Sequence, residues 1–417
     1  MTRFPLLPLA LILFACSPAV SQATEKVIYS FSTQTGDGEL PNGGLIFDKA
    51  GNLYGTTSGT SSSDCGLCGI AFELTPSPDG SWAETVLYHF CSQPNCSDGE
   101  SPGAGMVFDS AGNLYGTTTR GGQYYGTVFE LSPPSAPGDS WTETTLWSFD
   151  GTDGDYPVSN LIIDASGDLY GTASEGGAYG RGTVFELSPG PSGWTHNVLY
   201  NFCSSPPVCS DGARPITGLT LDKSGNLYGT TYQGGQFGEG KWGVAYELSP
   251  LGGGNWIEKV LYAFSAKAGN PATGLSFDTE GNLYGALYDG AENSPATCGG
   301  VFRLAPNAGN WKESFLPLDI GCNPSAGGLV DNKTKAFVGI TPQNPVNDAG
   351  SVFEVNGGGQ TILYNFCQLK NCADGLEPGG ILPVHNGKLY GTTLYGGTGI
   401  ACGPNQNGCG TVFEITP

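Results

Sequence analysis

The heptapeptide Gly51-Asn52-Leu53-Tyr54-Gly55-Thr56-Thr57 recurs along the chain, and its spacing governs the architecture that the sequence predicts. Close copies begin at Gly112, Gly167, Gly225, Gly281 and Gly387, and a degenerate copy at Lys335 fills the one gap. The glycines at the fifth position are separated by 61, 55, 58, 56, 54 and 52 residues. Seven copies of one unit of this size indicate a repeat architecture.

Each unit contains four short β-rich runs that are separated by turn signals. In the second unit the runs are 86–90, 105–109, 113–118 and 126–131. A tight Asp109–Gly112 turn joins the second run to the third, and a variable loop rich in Gly and Pro follows the fourth. Four antiparallel strands repeated seven times predict an all-β protein, a seven-bladed β-propeller of four-stranded antiparallel blades.

Strands within a blade are lettered A to D from the inside outwards. In the first blade the predicted strands are Gly44–Asp48 (A), Asn52–Thr57 (B), Gly69–Leu74 (C) and Val86–Phe90 (D). The run Val27–Phe31 is then a supernumerary strand D, which we expect to complete the last blade, begun by Gly380–Pro383. An N-terminal strand in the last blade closes the ring and removes its open edges.

Composition and charge fit this fold and exclude one class of partner. The 417 residues include 68 Gly and 29 Pro, as repeated turns require, while 38% hydrophobic residues argue against disorder. Lys and Arg number 16 against 38 Asp and Glu, which gives a formal charge of −22. Because phosphate binding needs clustered Lys and Arg, nucleic acid is excluded as a partner.

Residues 1–25 are predicted to be an export signal with a short linker, followed by a single propeller domain at 26–417. Arg3 precedes an apolar run, Phe4–Ala15, that is too short to span a membrane stably. Two processing routes stay open, lipidation of Cys16 or ordinary cleavage after Ala23. We expect no transmembrane segment and a monomer that is extracellular, at the cell surface or periplasmic, with a lipid anchor if Cys16 is modified.

The cysteines predict disulfides, because an even set of neighbouring pairs in an exported chain is typical of a disulfide framework. Apart from Cys16, the expected pairs are Cys65–Cys68, Cys91–Cys96, Cys203–Cys209, Cys298–Cys322, Cys367–Cys372 and Cys402–Cys409. For Cys65 and Cys68, pairing with a neighbouring loop is the alternative. All six pairs fall in D-to-A or B-to-C loops, which share one face of a propeller. We call this face the stapled face and expect it to carry the function.

Two sets of residues on the stapled face are candidate ligand contacts. The first set is aromatic and lies in B-to-C loops: Tyr124, Tyr125, Tyr179, Tyr232, Phe237, Trp242, Tyr288 and Tyr395. Aromatic rings beside polar groups suit sugar rings, although such residues can also fill gaps between blades. The second set belongs to Asp-Gly pairs in D-to-A loops: Asp98, Asp153, Asp211 and Asp374. These carboxylates could bind hydroxyl groups or a structural Ca²⁺, but Asp-Gly is also a common turn pair. No other metal and no organic cofactor is expected.

The motifs Gly-Asn-Leu-Tyr-Gly-Thr-Thr and Gly-Thr-Val-Phe-Glu-Leu-Ser-Pro resemble the GloVer tandem repeats of bacterial extracellular proteins over nearly all of residues 26–417. The resemblance implies no established activity and no catalytic residues. Members often carry a C-terminal sorting segment, and its absence from this sequence slightly favours the lipid anchor at Cys16. A looser likeness to gluconolactonase-like and streptogramin-lyase-like propellers concerns the fold alone.

Three functional hypotheses follow from these observations. The leading one is a non-catalytic propeller that binds an extracellular polymer, with carbohydrate as the expected class. The first alternative is a carboxylate-based glycan hydrolase or lyase on the stapled face, for which the divergent region Ala286–Asn344 is the first place to search. Two carboxylates about 5–9.5 Å apart in a cleft would favour that enzyme. The second alternative is a scaffold that binds a protein of the cell envelope.

Overall fold

Seven antiparallel sheets follow one another along the chain in the computed structural model. The structure describes residues 23–32, 36–60, 68–136, 138–236, 242–265, 269–288, 299–317, 324, 326–331, 336–343, 348–357, 359–380, 383–399 and 408–417. The sheets are the blades of a seven-bladed β-propeller, so the predicted fold is confirmed. Several predicted site residues lie outside the described residues: Cys16, Cys65, Phe237, Cys298, Cys322 and Cys402.

Blades 1 to 6 each run from strand A to strand D in chain order. Blade 1 consists of Ile46–Phe47, Leu53–Thr57, Ile70–Pro76 and Trp82–His89. Blade 2 consists of Val107–Phe108, Leu114–Thr118, Thr127–Ser132 and Thr142–Ser148. Blade 3 consists of Ile162–Ile163, Leu169–Ala173, Thr183–Gly190 and Gly193–Asn201. Blade 4 consists of Thr220–Leu221, Leu227–Thr230, Val244–Gly252 and Asn255–Ala263. Blade 5 consists of Ser276–Phe277, Leu283–Leu287, Gly300–Asn307 and Asn310–Pro317. Blade 6 consists of Ala326–Asp331, Ala336–Thr341, Ser351–Asn356 and Gly359–Asn365.

Blade 7 joins the two ends of the described chain. Its strands are Leu376–Gly379, Val384–His385, Lys388–Tyr395, Thr411–Thr416 and Thr24–Ser30. Thr24–Ser30 pairs antiparallel with Thr411–Thr416, as the predicted ring closure requires. Of the predicted strand Gly380–Pro383, residues 381 and 382 lie outside the described residues, and the described strands on either side are Leu376–Gly379 and Val384–His385. Pro383 has no N–H for a ladder, and a tight turn with left-handed residues at Asn386 and Gly387 forms the hairpin beyond it.

Short contacts tie the loops of the stapled face to one another. A two-stranded sheet pairs Gly38–Glu39 of a D-to-A loop with Gly59–Thr60 of a B-to-C loop. Isolated bridges occupy the same place in later blades, at Glu100–Arg120, Asp155–Glu175 and Ala213–Gln233. Two D-to-A loops also contain one turn of 3-10 helix, at Pro94–Cys96 and Lys370–Cys372. Backbone pairing therefore holds these loops in addition to any covalent bond.

The second glycine of the heptapeptide is required by close packing inside each blade. A Cβ atom at Gly116 would lie 2.5 Å from Cζ of Phe129, a fully buried ring of the adjacent strand C. The same clash would arise at Gly55 with Phe72, Gly171 with Phe185, Gly285 with Phe302 and Gly339 with Phe353. The recurring glycine and the recurring aromatic residue are thus two halves of one core contact.

Other repeated residues fasten each blade to its neighbour. The first Thr of the motif donates a hydrogen bond to the next blade, as from Thr56 Oγ1 to the Ala104 carbonyl at 2.8 Å and from Thr172 Oγ1 to the Thr217 carbonyl at 3.0 Å. The Trp that begins strand D packs on the motif Tyr of the preceding blade. Ring centroids are 6.4 Å apart for Trp141 and Tyr54, and 5.7 Å apart for Trp194 and Tyr115. These tryptophans are partly buried and pack against the core clusters between neighbouring blades.

Candidate functional site

Disulfides brace the D-to-A loops of the stapled face. Three of the predicted bonds are present, Cys91–Cys96, Cys203–Cys209 and Cys367–Cys372. Cys68 and Cys409 are also disulfide-bonded. Their predicted partners Cys65 and Cys402, and the whole pair Cys298–Cys322, lie outside the described residues. The bonds close small loops directly after strand D, where they restrict the positions of the loop backbone.

The predicted aspartates of these loops accept hydrogen bonds from within the protein. Asp98 and Asp374 are fully buried. Asp98 accepts from the Tyr88 hydroxyl at 2.9 Å and from the backbone N–H of Ser92 at 2.8 Å. Asp374 accepts in the same way from Tyr364 at 2.9 Å. These bonds hold strand D and the loop together.

The other two predicted aspartates are engaged similarly. Asp211 accepts from the Tyr200 hydroxyl at 2.9 Å, and Asp153 accepts from Nε1 of Trp147 at 2.8 Å. Each aspartate thus has a structural role in its loop. A ligand would have to compete for the same oxygens, and the binding role of these residues stays a prediction.

A glutamate from strand D of the following blade faces most of these aspartates. Burial, together with the neighbouring aspartate, raises the pKa of Glu84, Glu143 and Glu25 to about 7 and that of Glu258 to about 8. The facing residues are Asp37, Asp98, Asp374 and Asp211, in that order. One carboxyl oxygen of Glu25, Glu84 and Glu258 is buried with no hydrogen-bond partner among the described residues. Each of these four junctions therefore pairs a glutamate that retains its proton up to near-neutral pH with a hydrogen-bonded aspartate.

The junction between blades 2 and 3 replaces this pair with a histidine. The ring of His196 stacks on Trp147 with centroids 4.7 Å apart, and its Nδ1 lies 3.9 Å from Asp153. Burial lowers the pKa of His196, while Asp153 acts in the opposite direction. The tyrosine and glutamate of the four junctions above thus correspond to tryptophan and histidine here.

Three of the predicted aromatic residues are exposed in adjacent loops. The exposed fractions are 83% for Tyr124, 38% for Tyr125 and 47% for Tyr179, while Tyr156, which the sequence analysis did not single out, is 38% exposed. The N–H of Tyr156 donates to the Tyr125 carbonyl at 3.2 Å, which joins the two loops. We call Tyr124, Tyr125, Tyr156 and Tyr179 the tyrosine cluster. It lies on the stapled face over blades 2 and 3.

The remaining predicted aromatic residues are half-buried. Tyr232 and Tyr288 contact each other edge to face, with centroids 6.4 Å apart. Trp242 packs against the core between blades 4 and 5, and Tyr395 is partly covered in blade 7. Trp242 therefore fills a gap between blades, as the alternative interpretation of these residues holds. The tyrosine cluster instead exposes ring surface that a ligand could contact.

Sequence reasoning missed a second recurring position on this face. In the pattern Asp-Gly-x-x-Pro, the residue before proline has a positive φ angle in five blades. These residues are Leu40 (58°), Ser101 (59°), Tyr156 (61°), Arg214 (56°) and Glu377 (55°). A left-handed conformation is uncommon for residues other than glycine, and residues before proline usually favour extended backbone. A constant backbone thus displays a different side chain in each blade. The repeated Asp-Gly-x-x-Pro pattern was the signal that could have revealed it.

A central cavity of about 650 Å³ opens beside two of these positions. Residues around strand A of each blade form its wall, including Gly44, Gly103, Asn160, Gly218, Gly274, Gly328 and Gly380. This lining confirms that strand A is innermost. Among the described residues of the wall, Tyr156 is the one aromatic residue and Arg214 the one charged residue.

Arg214 lies at the mouth of this cavity with part of its hydrogen-bonding capacity unused. Its Nη2 donates to Oε1 of Glu175 at 3.2 Å, and both side chains are about half exposed. Its Nε is buried and has no partner among the described residues. The bridge between Glu175 and Asp155 places this ion pair beside Tyr156.

Comparison with known proteins gives the family. The sequence profile of the Gloeobacter/Verrucomicrobia repeat matches residues 12–242 and 208–404, which is most of the chain. The chain belongs to this repeat family. No curated protein matches this chain.

Several solved structures are similar to this repeat protein at low identity. One, a candidate 6-phosphogluconolactonase from Bacteroides uniformis, is 13% identical, with 76% of this chain and 82% of that chain covered and a TM-score of 0.46. The PQQ-bound aldose sugar dehydrogenase from Streptomyces coelicolor is 13% identical over 94% and 98% of the two chains, with a TM-score of 0.45. A luciferin-regenerating enzyme is 10% identical over 95% of each chain, with a TM-score of 0.44.

A second cleft of the repeat protein, of about 540 Å³, lies where blade 7 meets blade 1. Tyr29, Asp37, Glu84 and His89 line it, and burial lowers the pKa of His89. The combination of two carboxyl groups and a histidine resembles an acid–base site. However, the same tyrosine, aspartate and glutamate recur at other blade junctions, which favours a structural role for them.

Neither a metal-binding cluster nor a membrane-spanning helix occurs in the described part of the repeat protein. Within the described ranges, no group of three or more His, Cys, Asp or Glu side chains is arranged to hold a metal ion. The described residues also contain no helix with the length and apolar character needed to cross a membrane.

Proposed function

We propose that this repeat protein is an exported, non-catalytic propeller that binds a carbohydrate polymer on its stapled face. The observation that supports this most is the tyrosine cluster, in which four exposed rings lie in neighbouring loops. Tyrosine rings stack on the apolar faces of sugars, while their hydroxyl groups form hydrogen bonds at the rim. A row of such rings suits an extended polymer better than a small ligand.

The rigidity of the loops supports the same role. The Cys91–Cys96 and Cys203–Cys209 bonds, together with the Asp155–Glu175 bridge, fix loops around the cluster before any ligand arrives. Binding to fixed loops loses less conformational entropy than binding to mobile ones. Because disulfides persist in oxidising compartments, they are compatible with export by residues 1–25, with lipidation at Cys16 or cleavage after Ala23 as the two routes.

The test is binding of polysaccharides and a glycan array by the protein and by a Tyr124→Ala/Tyr125→Ala/Tyr179→Ala variant. Each stacked ring contributes about 0.5–1.5 kcal/mol, so we expect the triple variant to bind at least about tenfold more weakly. Leu251→Ala is the matched control, because Leu251 is also exposed but lies on the opposite face. Release of soluble products from the polymer would contradict the non-catalytic role, and equal binding by both variants would contradict the site.

A glycan hydrolase is the second candidate, and the cleft at Asp37 and Glu84 is the observation that favours it. A glutamate with a pKa of about 7 beside a second carboxyl group could serve as a general acid. Glu84→Gln would then abolish any product release while leaving polymer binding intact. If neither binding nor turnover of glycans is found, a scaffold that binds an envelope protein becomes the favoured function.

A further inference from the structure

We infer that the mouth of the central cavity is an end-binding site that takes the terminal residue of an uncharged glycan, an inference that rests on the carbohydrate-binding function proposed above. Tyr156 and Arg214 are the side chains that would contact this residue. The tyrosine cluster would hold the neighbouring part of the same chain, because Tyr156 belongs to both surfaces.

The shape of the cavity favours a chain end over an internal residue. Its wall is contributed by all seven blades, so it is enclosed on every side around the propeller axis. A polymer that lies across the stapled face could insert an internal residue only by folding sharply back on itself. A terminal residue can enter along the axis, and a volume of about 650 Å³ lies within the range that holds small ligands.

The groups at the mouth match a ring that carries hydroxyl groups. Tyr156 offers a partly exposed aromatic ring, and the Arg214–Glu175 pair offers donors and an acceptor side by side. The buried, unpartnered Nε of Arg214 is costly to leave unsatisfied in the folded protein. A ligand hydroxyl would accept from this nitrogen, and so remove that cost, once the side chain turns toward the cavity.

The charge around the mouth favours an uncharged sugar over a uronate. Glu175 already balances the charge of Arg214 at 3.2 Å, and Asp155 is paired through its backbone to Glu175. The full chain carries a formal charge of −22. A negatively charged sugar would therefore find no unpaired cation at Arg214 and would meet long-range repulsion from the net charge.

The backbone at both positions is fixed independently of the side chains. The N–H of Arg214 donates to the Arg181 carbonyl at 2.8 Å, and its carbonyl accepts from Tyr232 at 2.9 Å. Ser101 occupies the same left-handed position in the preceding blade but lies outside the wall of the cavity. Ser101→Ala is therefore a matched control for side-chain loss at this type of position.

The experiment measures calorimetric binding of neutral hexasaccharides (maltohexaose, cellohexaose and mannohexaose), their polymers, and trigalacturonate to the full chain. We expect at least one neutral hexasaccharide to bind and trigalacturonate not to bind. Tyr156→Ala and Arg214→Gln should each weaken hexasaccharide binding about tenfold, as loss of one stacked ring or of charged hydrogen bonds predicts. Ser101→Ala should bind as the unmodified protein does, and equal melting temperatures would show that all variants fold.

The remaining outcomes separate this inference from the proposed function. If the Tyr156 and Arg214 variants bind normally while the triple tyrosine variant loses the polymer, the end-binding site is wrong and the proposed function stands. Tighter binding of trigalacturonate than of every neutral chain would overturn the choice of an uncharged sugar. Absence of binding to all probes, polymers included, would overturn the inference and the proposed function together.

Discussion

The repeated residues of the heptapeptide have packing roles that explain their recurrence. Gly116 makes room for Phe129, and Thr172 holds the carbonyl of Thr217 in the next blade. The motif tyrosine reaches the turn before its own strand, as where the Tyr115 hydroxyl donates to Asp109 at 3.2 Å. Residues that recur in every blade therefore belong to the framework. Ligand contacts are expected where the blades differ, as at Tyr156 and Arg214.

Substitution of Gly116 by alanine should destabilise the protein. The added Cβ would lie 2.5 Å from Phe129 inside a filled blade, and overpacking of a core costs about 1–3 kcal/mol of unfolding free energy. Urea denaturation followed by tyrosine and tryptophan fluorescence measures the difference. The control is Gly357→Ala, because a Cβ there meets no atom within 4 Å. Equal stability of the two variants would contradict the packing role.

At the level of single residues, the sequence revealed recurrence but not exposure. Trp141 and Trp194 recur with the repeat and pack against the core, because a residue that recurs beside outer strands serves the framework. Sequence reasoning grouped Trp242 with Tyr124 as aromatic loop residues, although Trp242 packs into a core and Tyr124 is almost fully exposed. A loop residue's burial depends on the path of neighbouring loops, which local sequence does not encode.

The carboxyl pairs make four of the blade junctions elements that respond to pH. Glu258 is the strongest example, since its pKa is raised to about 8, chiefly by burial and further by Asp211. The groups that face it are Asp211, Tyr200 and Tyr246. Its folded pKa lies above the unfolded value of about 4.3. Its contribution to stability is therefore complete below that value and is lost as pH rises through about 8.

We accordingly expect the melting temperature of the protein to fall between pH 5 and pH 9. Glu258→Gln keeps the shape of the side chain but cannot ionise. It should raise stability at pH 9 by about 1 kcal/mol, a figure reduced for partial solvent screening, and change it little at pH 5. Differential scanning fluorimetry at pH 5, 7 and 9 measures both, with the pH 5 value as the internal control. A variant that is less stable than the unmodified protein at pH 9 would contradict the paired-carboxyl account.

Strands B and C were predicted closely, whereas strands A and D were not. The predicted strands Asn52–Thr57 and Gly69–Leu74 correspond to Leu53–Thr57 and Ile70–Pro76. Strand A shortens to two residues in blade 1, and strand D lengthens to Trp82–His89. Blade twist and crowding at the axis set those lengths, and both depend on the whole ring rather than on local residues.

Ring closure is a property of the whole molecule, because it depends on a strand from the opposite end of the chain. Removal of residues 1–30 would leave Thr411–Thr416 as an open edge with unpaired backbone groups. We expect this variant to melt at a lower temperature and to self-associate, as measured by scanning calorimetry and light scattering. A peptide with the sequence of residues 24–31 should reverse the loss of stability and the self-association, and a scrambled peptide should not. A truncated protein that is as stable as the full chain and associates no further would contradict the role of closure.

The architecture was more predictable than the site because the two depend on different kinds of information. Seven copies of a motif at regular spacing determine the number of blades and the closing strand. The tyrosine cluster and the cavity mouth arise from residues of different blades, such as Tyr125, Tyr156 and Arg214, that the ring brings together. These residues are close together because the blades form a closed ring, and the sequence of a single loop does not reveal this proximity.

The pairing of Thr24–Ser30 with Thr411–Thr416 also determines the order in which the molecule can fold. The first strand of the propeller must wait for the last one, so blade 7 forms through a contact of very high sequence separation, which slows folding. The cysteines avoid this delay, because partners such as Cys91 and Cys96 are five residues apart. Each of these neighbouring cysteine pairs can therefore form its disulfide before the ring of blades has closed.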